Sequence, residues 1–325
     1  MKQFIKDLKE KDRVNSVFFT KEKHERKDKN GKVFLSLNLQ DATGEINARV
    51  WEKADIVAKR FNEGDCVKVK GFVQVYKNRK QLVVNDLNLA QEDEYVLEEV
   101  LPGDIKASEQ LYEKLIKIGR SIANESIKRI TLKTLQDPEV HQRLLKAPAA
   151  KSIHHAYLGG LLAHMVSVCE ILDFLSSHYS FVDRDLLIFG GIFHDLGKIW
   201  ELEVSNQGIQ YSRQGRLVGH MSLICEWLDK EALEEGIEPS LHQELKHIIL
   251  SHHDQVEFGS PVEPQFLEAQ LVALVDKLDS RMDSLWAFMK REVELSDQGE
   301  EWSRYHEHYG RYFYLPILRK KIQSS

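Results

Sequence analysis

The sequence predicts a two-domain protein in which a small all-β barrel precedes an all-α domain. A chain of 325 residues is long enough to bury two hydrophobic cores. Apolar residues recur with period two up to about residue 90, and from about residue 105 they recur with the period of a helix. The acidic stretch between them contains a turn-forming Pro-Gly pair. We therefore predict a barrel over 1–90, a linker over 91–104, and a helical domain with a C-terminal tail over 105–325.

The first domain shows short strands separated by turns. In chain order, the strand signals are Val14 and the residues after it, 34–39, 46–51, 67–76 and 82–84. Asn30-Gly31 and 42–44 supply the residues that tight hairpin turns need. Residues 52–61, between the third and fourth strands, have the pattern of a short helix instead. The sequence thus predicts five strands and one helix.

This element order is that of an OB-fold. The stretch LNLQDATGEINARVWEKA, which spans the second and third predicted strands, resembles the same part of OB-folds that bind nucleic acids. The resemblance covers about 80 residues. It implies a nucleic-acid-binding barrel.

The charge distribution favours the same role for the first domain. Residues 1–90 contain 20 Lys and Arg against 13 Asp and Glu, a net charge of +7, whereas the rest of the chain has a net charge of −13. A basic domain beside an acidic one indicates an anionic partner for the basic domain. The alternative is a solvated surface on which charge is unevenly spread.

Strand parity identifies candidate contacts to nucleic acid within the barrel. Phe34 and Trp51 fall on the face opposite to the alternating core residues, where a ring can stack on a base. Such a residue also packs under a helix or against the next domain, and for Trp51, at the start of the short helix, a core position is the stronger expectation. The predicted nucleic-acid contacts are Phe34, Arg49, Trp51, Tyr76, Lys77 and Arg79.

Composition argues against a membrane or an exported protein. Apolar residues make up 42% and charged residues 30% of the chain, as in globular proteins. The longest apolar run, 186–193, is far shorter than the ~20 residues that a membrane span needs. The first 13 residues are charged and lack a signal segment, so we expect a cytoplasmic protein. The three cysteines are too few and too scattered for a disulfide framework or a thiolate zinc site.

Histidines and aspartates in the second domain form a candidate metal site. Several of them fall at the ends of predicted helices, a placement that suits ligands better than the middle of an apolar face does. The candidates are His164, His194, Asp195, His220, His252, His253 and Asp276. Taken singly, each reads more simply as a hydrogen-bonded core histidine or a solvated aspartate. Imidazole and carboxylate together suit Mn²⁺, Fe²⁺, Co²⁺ or Zn²⁺ better than Mg²⁺ or Ca²⁺.

The motifs HDLGK, GH, SHH and VDKLD follow one another in the order of the HD superfamily of metal-dependent phosphohydrolases. The resemblance covers roughly 150–290 and implies two divalent metal ions, with Mn²⁺ expected first and Fe²⁺, Co²⁺ or Zn²⁺ as alternatives. It assigns His164, His194, Asp195 and Asp276 to the first metal. It assigns Asp195, His220, His252 and His253 to the second, so that Asp195 bridges both. Two such cations activate a water and clamp a phosphoryl group, which is the chemistry of phosphodiester hydrolysis.

Two further predictions for this region concern residues that support the candidate metal site. The resemblance makes Lys198, with Asp195, a candidate catalytic residue that contacts phosphate. We expect Lys198 to project from the end of the helix that carries His194, where it could instead complement the helix dipole. Asp279 and Asp283 share a helix face with Asp276, either as carboxylates behind the ligands or as a solvated face.

The complete chain is similar to the bacterial YhaM family of 3′-5′ exoribonucleases, in which an OB-fold precedes an HD domain. The stretches HAYLGGLLAH and HDLGK carry most of the match. The resemblance implies a metal-dependent 3′-5′ exonuclease with single-stranded RNA, and also single-stranded DNA, as partner. The open alternatives are a phosphohydrolase of nucleotides or cyclic dinucleotides, and a nucleic-acid-binding adaptor without activity. A homo-oligomer also remains open.

Overall fold

The computed structural model describes residues 2–28, 31–76, 79–101, 103, 105–150, 157–205, 208–295 and 299–323. The strands are β1 (Arg13–Lys27), β2 (Val33–Asp41), β3 (Gly44–Val50), β4 (Cys66–Tyr76), β5 (Arg79–Leu89), β6 (Leu202–Ser205) and β7 (Gly208–Tyr211). The α-helices are α1 (Ala54–Ala58), α2 (Leu97–Val100), α3 (Ile105–Arg120), α4 (Glu125–Gln136), α5 (Pro138–Leu144), α6 (Gly160–His178), α7 (Arg184–Phe193), α8 (Lys198–Glu201), α9 (Arg213–Val218), α10 (His220–Glu235), α11 (Pro239–Ser251), α12 (Leu267–Leu295) and α13 (Pro316–Gln323).

The first five strands close into a barrel in the order β1-β2-β3-β5-β4. All neighbours are antiparallel except β3 and β5, which run parallel. Leu35, Leu37 and Leu39 of β2 point into the core, as their alternation predicts. Helix α1 lies between β3 and β4 in the chain and buries Val57 in the same core. The predicted barrel with one helix is confirmed.

The acidic segment after the barrel is packed against it. This segment contains α2, and its residues Val100 and Leu101 are completely buried. They belong to a cluster with Val17 and Phe19 of β1. The segment predicted as a linker therefore contributes apolar contacts to the barrel wall.

The helical domain has a core built around α6, α7 and α12, which pack against one another. Helix α6 is the one helix in the described part of the chain that is long and apolar enough for a membrane span, which is weak evidence because core helices pass the same test. Leu161, Leu162 and Met165 of α6 are completely buried among the other helices. We therefore interpret α6 as a core helix.

The helical domain also contains a small hairpin, which corrects the expectation that it is purely α-helical. Strands β6 and β7 pair antiparallel between α8 and α9. Each strand has four residues, and the packed apolar side chains described in them are Leu202, Val204 and Ile209, so the period-two pattern was too short to recognise. Next to Ile209, Gln210 donates a hydrogen bond of 3.1 Å to Asp65 of the barrel. The hairpin therefore contacts the first domain.

Candidate metal centre and nucleic-acid interface

The predicted metal ligands come from five helices and the turns that end them. His164 lies in α6, His220 begins α10, and Asp276 lies in α12. The other four follow helices directly: His194 and Asp195 after α7, and His252 and His253 after α11. The helix packing thus gathers residues that are more than 100 positions apart in the chain.

A glycine allows the turn after α7 to approach α10 closely. A Cβ atom at Gly197 would lie 2.1 Å from the carbonyl oxygen of His220, which is far inside van der Waals contact. Any other residue would push the turn that carries Asp195 away from the start of α10. The glycine of the HDLGK motif therefore sets the separation between Asp195 and His220.

The structure brings all seven predicted ligands together as two groups that share Asp195. His164, His194, Asp195 and Asp276 form one group, and Asp195, His220, His252 and His253 form the other. Within each group the ligand atoms lie within 4.8 Å of one another.

The two carboxylate oxygens of Asp195 face different groups. Oδ2 lies 3.6 Å from Nε2 of both His164 and His194. Oδ1 lies 3.5 Å from Nε2 of both His220 and His252. The carboxylate is 2% exposed, so its two oxygens are directed by the protein rather than by solvent. This is the geometry that a bridging carboxylate needs.

Unpaired buried atoms indicate that the second group fits a cation. In the part of the chain that the structure describes, four buried atoms of this group have no hydrogen-bond partner: Asp195 Oδ1, His220 Nε2, His252 Nε2 and His253 Nδ1. Buried polar atoms are nearly always paired, because each unpaired one costs about 1–3 kcal/mol. Three nitrogens and one oxygen that converge in this way match the donor set of a transition-metal ion.

Two ligand histidines are oriented by carboxylates. Nδ1 of His164 lies 2.8 Å from Oδ2 of Asp279, and Ser167 donates to the other oxygen of that carboxylate at 2.5 Å. Nδ1 of His220 lies 3.1 Å from Oε1 of Glu201. Each contact leaves Nε2 directed at the metal group, as is usual for ligating histidines. Sequence reasoning raised Asp279 by its spacing but missed Glu201, because nothing distinguishes it from neighbouring acidic residues.

Backbone carbonyl groups orient two more of the ligand histidines. Nδ1 of His194 lies 3.0 Å from the carbonyl oxygen of Gly190. Nδ1 of His252 lies 2.7 Å from the carbonyl oxygen of Ile249. Both contacts reach back into the helix that precedes the ligand, so the end of the helix itself fixes the ring.

Burial and neighbouring charges set the protonation of the ligands. Burial lowers the pKa of His194 to about 4, and burial together with His252 lowers the pKa of His253 to about 4. For His164, burial opposes protonation, but hydrogen bonds to Asp276 and Asp279 outweigh it and raise the pKa to about 9. His194 and His253 are thus neutral near pH 7, whereas a cation must displace a proton from His164.

Lys198 contacts the central carboxylate, but from a different element than expected. Helix α7 ends at Phe193, a turn follows, and Lys198 is the first residue of α8, so the expectation that it projects from the end of α7 was wrong. Its Nζ lies 2.6 Å from Oδ2 of Asp195. Burial opposes the charge on this lysine, but the carboxylates of Asp195, Asp276 and Glu201 together outweigh burial and raise the pKa of Lys198. The ammonium therefore remains charged at the edge of the metal group.

Phe34 and Trp51 form an aromatic pair on the outside of the barrel. Their rings are stacked with centroids 4.6 Å apart, and Trp51 is 38% exposed. The guanidinium of Arg49 lies 5.8 Å from the centroid of Phe34 and donates a hydrogen bond to Ser36. These three predicted contacts thus lie together, and Trp51 is outside the core.

Of the other predicted contacts, Tyr76 and the backbone of Arg79 lie where the end of β4 pairs with the start of β5. Tyr76 ends β4 and is 60% exposed. Tyr76 pairs with Arg79 at the start of β5. Val84, five residues further along β5, pairs with Val50, the residue before Trp51. At ~3.3 Å per residue this places Tyr76 roughly 16 Å from the Phe34 and Trp51 pair along the strand. Lys77 and the side chain of Arg79 lie outside the described residues.

Family models match both domains. The model of the HD domain matches residues 161–281, and the model of the OB-fold nucleic acid binding domain matches residues 9–90. Among solved structures, the second OB-fold domain of replication protein A from Methanococcus maripaludis is 21% identical, covering 28% of this chain and 96% of that chain with a TM-score of 0.24. The mitochondrial single-stranded DNA binding protein Rim1 from S. cerevisiae is 17% identical, covering 26% and 97%, with a TM-score of 0.23. At these values the structural likenesses have no bearing on function.

A curated relative matches nearly the whole chain. The 3′-5′ exoribonuclease YhaM of Geobacillus sp. (strain WCH70) is 34% identical over 297 residues, which are 91% of this chain and 90% of that protein. The match spans both domains in the same order. The chain belongs to the YhaM family of 3′-5′ exoribonucleases.

Proposed function

We propose that this chain is a metal-dependent 3′-5′ exoribonuclease that hydrolyses the phosphodiester bonds of single-stranded RNA, and of single-stranded DNA as a second substrate. The observation that carries the proposal is the carboxylate of Asp195, whose two oxygens face two separate groups of ligands. The direction of digestion and the preference for RNA rest on the named activity of the Geobacillus relative.

The seven ligands would hold two divalent cations, with Mn²⁺ expected first and Fe²⁺, Co²⁺ or Zn²⁺ as alternatives. When bound, such a pair supplies an activated water and a clamp for the phosphoryl oxygens. Asp195 belongs to both ligand groups and so fixes their positions relative to each other. Asp279 and Glu201 fix the orientations of the His164 and His220 rings. Lys198 places a positive charge beside them that can shift from Asp195 to a substrate phosphate.

The barrel would deliver the strand. A base can stack on the exposed face of Trp51, while Arg49 neutralises a neighbouring phosphate. Stacking and phosphate contacts do not read base identity, which suits an enzyme that digests RNA of any sequence.

A substrate panel tests the proposal. The purified protein is incubated with single-stranded RNA, single-stranded DNA, nucleotides and cyclic dinucleotides, each with Mn²⁺ and with EDTA. We expect stepwise shortening of the RNA that EDTA abolishes. Turnover of nucleotides alone would make the chain a small-molecule phosphohydrolase, and binding without cleavage would make it an adaptor.

We expect the two metal sites to lose their metals independently when single ligands are removed. We expect His220→Ala to remove mainly the metal of the second group and His164→Ala mainly that of the first, because each ring belongs to one group only. Anomalous scattering from crystals grown with Mn²⁺ measures the two occupancies. His242→Ala, which removes a histidine of α11 outside both groups, is the control and should leave both sites full. Equal occupancies in either ligand variant would contradict the assignment.

Phosphate contacts on the barrel should appear in the salt dependence of binding. Each contact to a single strand contributes about −0.7 to the slope of log K against log salt. The triple variant Arg49→Ala, Lys77→Ala, Arg79→Ala should therefore have a slope shallower by about 2, measured by anisotropy with labelled RNA in EDTA. Lys230→Ala, which removes an exposed lysine of α10, should leave the slope unchanged. Parallel plots for the triple variant and the parent would exclude these contacts.

A further inference from the structure

Near its C terminus the chain folds back on itself in a segment that we call the C-terminal hairpin, residues 301–315. Its two limbs are joined by backbone hydrogen bonds of 2.9 Å from Leu315 to Glu301, from Ser303 to Phe313 and from His306 to Arg311. Along residues 312–315 the side chains therefore alternate between an outward and an inward face, as in a strand.

The inward face packs against α12. The rings of His306 and Phe313 meet Phe288 of α12 at centroid distances of 4.4 and 5.9 Å. Leu315 is completely buried. Arg304 is fixed to α12 by Glu292, whose carboxylate accepts from its side chain at 2.8 Å. The hairpin thus has enough apolar and ionic contacts on one side to be held in place.

The outward face is aromatic and open to solvent. Its exposed residues are Trp302 at 58%, Tyr305 at 52%, Tyr312 at 59% and Tyr314 at 42%. Trp302 meets Tyr314, and Tyr305 meets Tyr312, both edge to face rather than in stacks. A hollow of about 660 Å³ lies between them, lined by Trp302, Tyr305, Gly310, Arg311 and Tyr312. Leaving four large rings exposed around one arginine is typical of a binding surface.

This surface continues into the barrel. Tyr305 also lines a groove of about 800 Å³ that the hairpin shares with β1, and Arg26 and Arg304 lie in the same groove. Burial, and after it the charges of Arg26 and Arg304, lower the pKa of Arg49. Arg26, Arg49 and Arg304 therefore form an arginine cluster between the hairpin and the Phe34 ring over which Arg49 sits. The acidic residues Glu22, Glu25, Glu63 and Glu307 line other parts of the same groove.

We propose that the C-terminal hairpin is a second base-stacking surface for single-stranded RNA, joined to the Phe34 and Trp51 pair through the arginine cluster. Exposed rings accept bases of any identity, and the arginines match the charge of the backbone that runs between the two surfaces. This inference rests on the proposed function, because it gives a longer path to a strand that the metal centre would cut.

The double variant Tyr305→Ala, Tyr312→Ala tests the surface. Loss of stacking should weaken binding of a labelled 20-nucleotide polyuridylate, measured in EDTA, by about fivefold to 100-fold. Hydrolysis of a dinucleotide with Mn²⁺ should stay at the parent rate, since the metal centre is untouched. The matched control is Phe174→Ala, which removes an exposed ring of α6 and should change neither quantity.

Ultraviolet crosslinking of the unaltered protein to RNA that carries 4-thiouridine gives a second test that needs no variant. We expect crosslinked peptides from the hairpin as well as from the barrel. Unchanged affinity in the double variant, or crosslinks confined to the barrel, would overturn the inference. The inference would also be overturned if the double variant had a lower mass than the parent by light scattering but the same RNA affinity. That result would mean that the aromatic face binds a second copy of the chain. If the parent fails to shorten RNA or to cut the dinucleotide, the proposed function fails instead.

Discussion

Asp195→Ala is expected to abolish RNA hydrolysis and to release both metals. The side chain offers one oxygen to each ligand group, so its loss breaks both groups at once. Without the cations the pKa of an attacking water would be far higher than it is on a divalent metal, so the rate should fall at least about 10⁴-fold. Metal content by elemental analysis and turnover on labelled RNA measure the two effects.

Two further variants make this result specific. Asp195→Asn keeps the shape but replaces one ligand oxygen with an amide nitrogen, so it should retain one metal at most. Asp55→Ala removes an exposed carboxylate of α1 in the barrel and should retain both metals and full activity. RNA affinity in EDTA should be nearly equal for the two Asp195 variants and the parent, because their barrel is unchanged. Near-normal turnover with two metals in Asp195→Ala would refute the site.

Lys198→Met should lower kcat by about 10²- to 10³-fold, the scale on which one positioned charge acts in a transition state. Its ammonium lies 2.6 Å from Asp195 at the edge of the metal groups, where a phosphate would arrive. Unlike the Asp195 variants, this one should keep both metals, because it removes a positive charge and no ligand. Kinetics and elemental analysis on the same sample separate the two roles.

Lys117→Met, at an exposed position of α3, is the matched control and should leave kcat unchanged. If Lys198→Met loses metal together with activity, the lysine acts by holding Asp195 in place. If kcat is unchanged while metals are retained, Lys198 takes no part in catalysis.

Much of the barrel could be predicted because its signals are local. The alternation of Leu35, Leu37 and Leu39 assigns one face of β2 to the core. Residues 42–44 mark the turn between β2 and β3, and Gly31, with a positive φ of 80°, lies just before β2. Asn30, the other residue of the predicted first turn, lies outside the described residues. The hairpin of β6 and β7 was missed because strands of four residues carry too little alternating pattern to be recognised.

The grouping of the ligands depended on their order in the chain rather than on their spacing. The resemblance to HD proteins proposed two sets sharing Asp195, and the helix packing brings the same residues together. Sequence could not place Lys198, because α7 ends at Phe193 and a turn separates it from α8, which begins at Lys198. Glu201 was also beyond reach, since its link to His220 exists only once α8 and α10 are packed.

The roles of aromatic residues were the least predictable. The alternation of side chains along the strands predicted that Phe34 and Trp51 lie outside the barrel, but it could not exclude a helix packed over them. The tertiary structure leaves Trp51 38% exposed. The sequence assigned no role to the C-terminal tail. Its inward and outward faces become distinct only where Phe313 meets Phe288 of α12.

Digestion of one single-stranded RNA labelled at either end tests the central claim most directly. With Mn²⁺, RNA labelled at the 5′ end should give a ladder that shortens with time, whereas RNA labelled at the 3′ end should release labelled mononucleotide from the first time point. Both reactions should be absent in EDTA and in Asp195→Ala. Immediate release of the 5′ label, internal cuts, or RNA that stays intact with Mn²⁺ would contradict a metal-dependent exonuclease acting from the 3′ end.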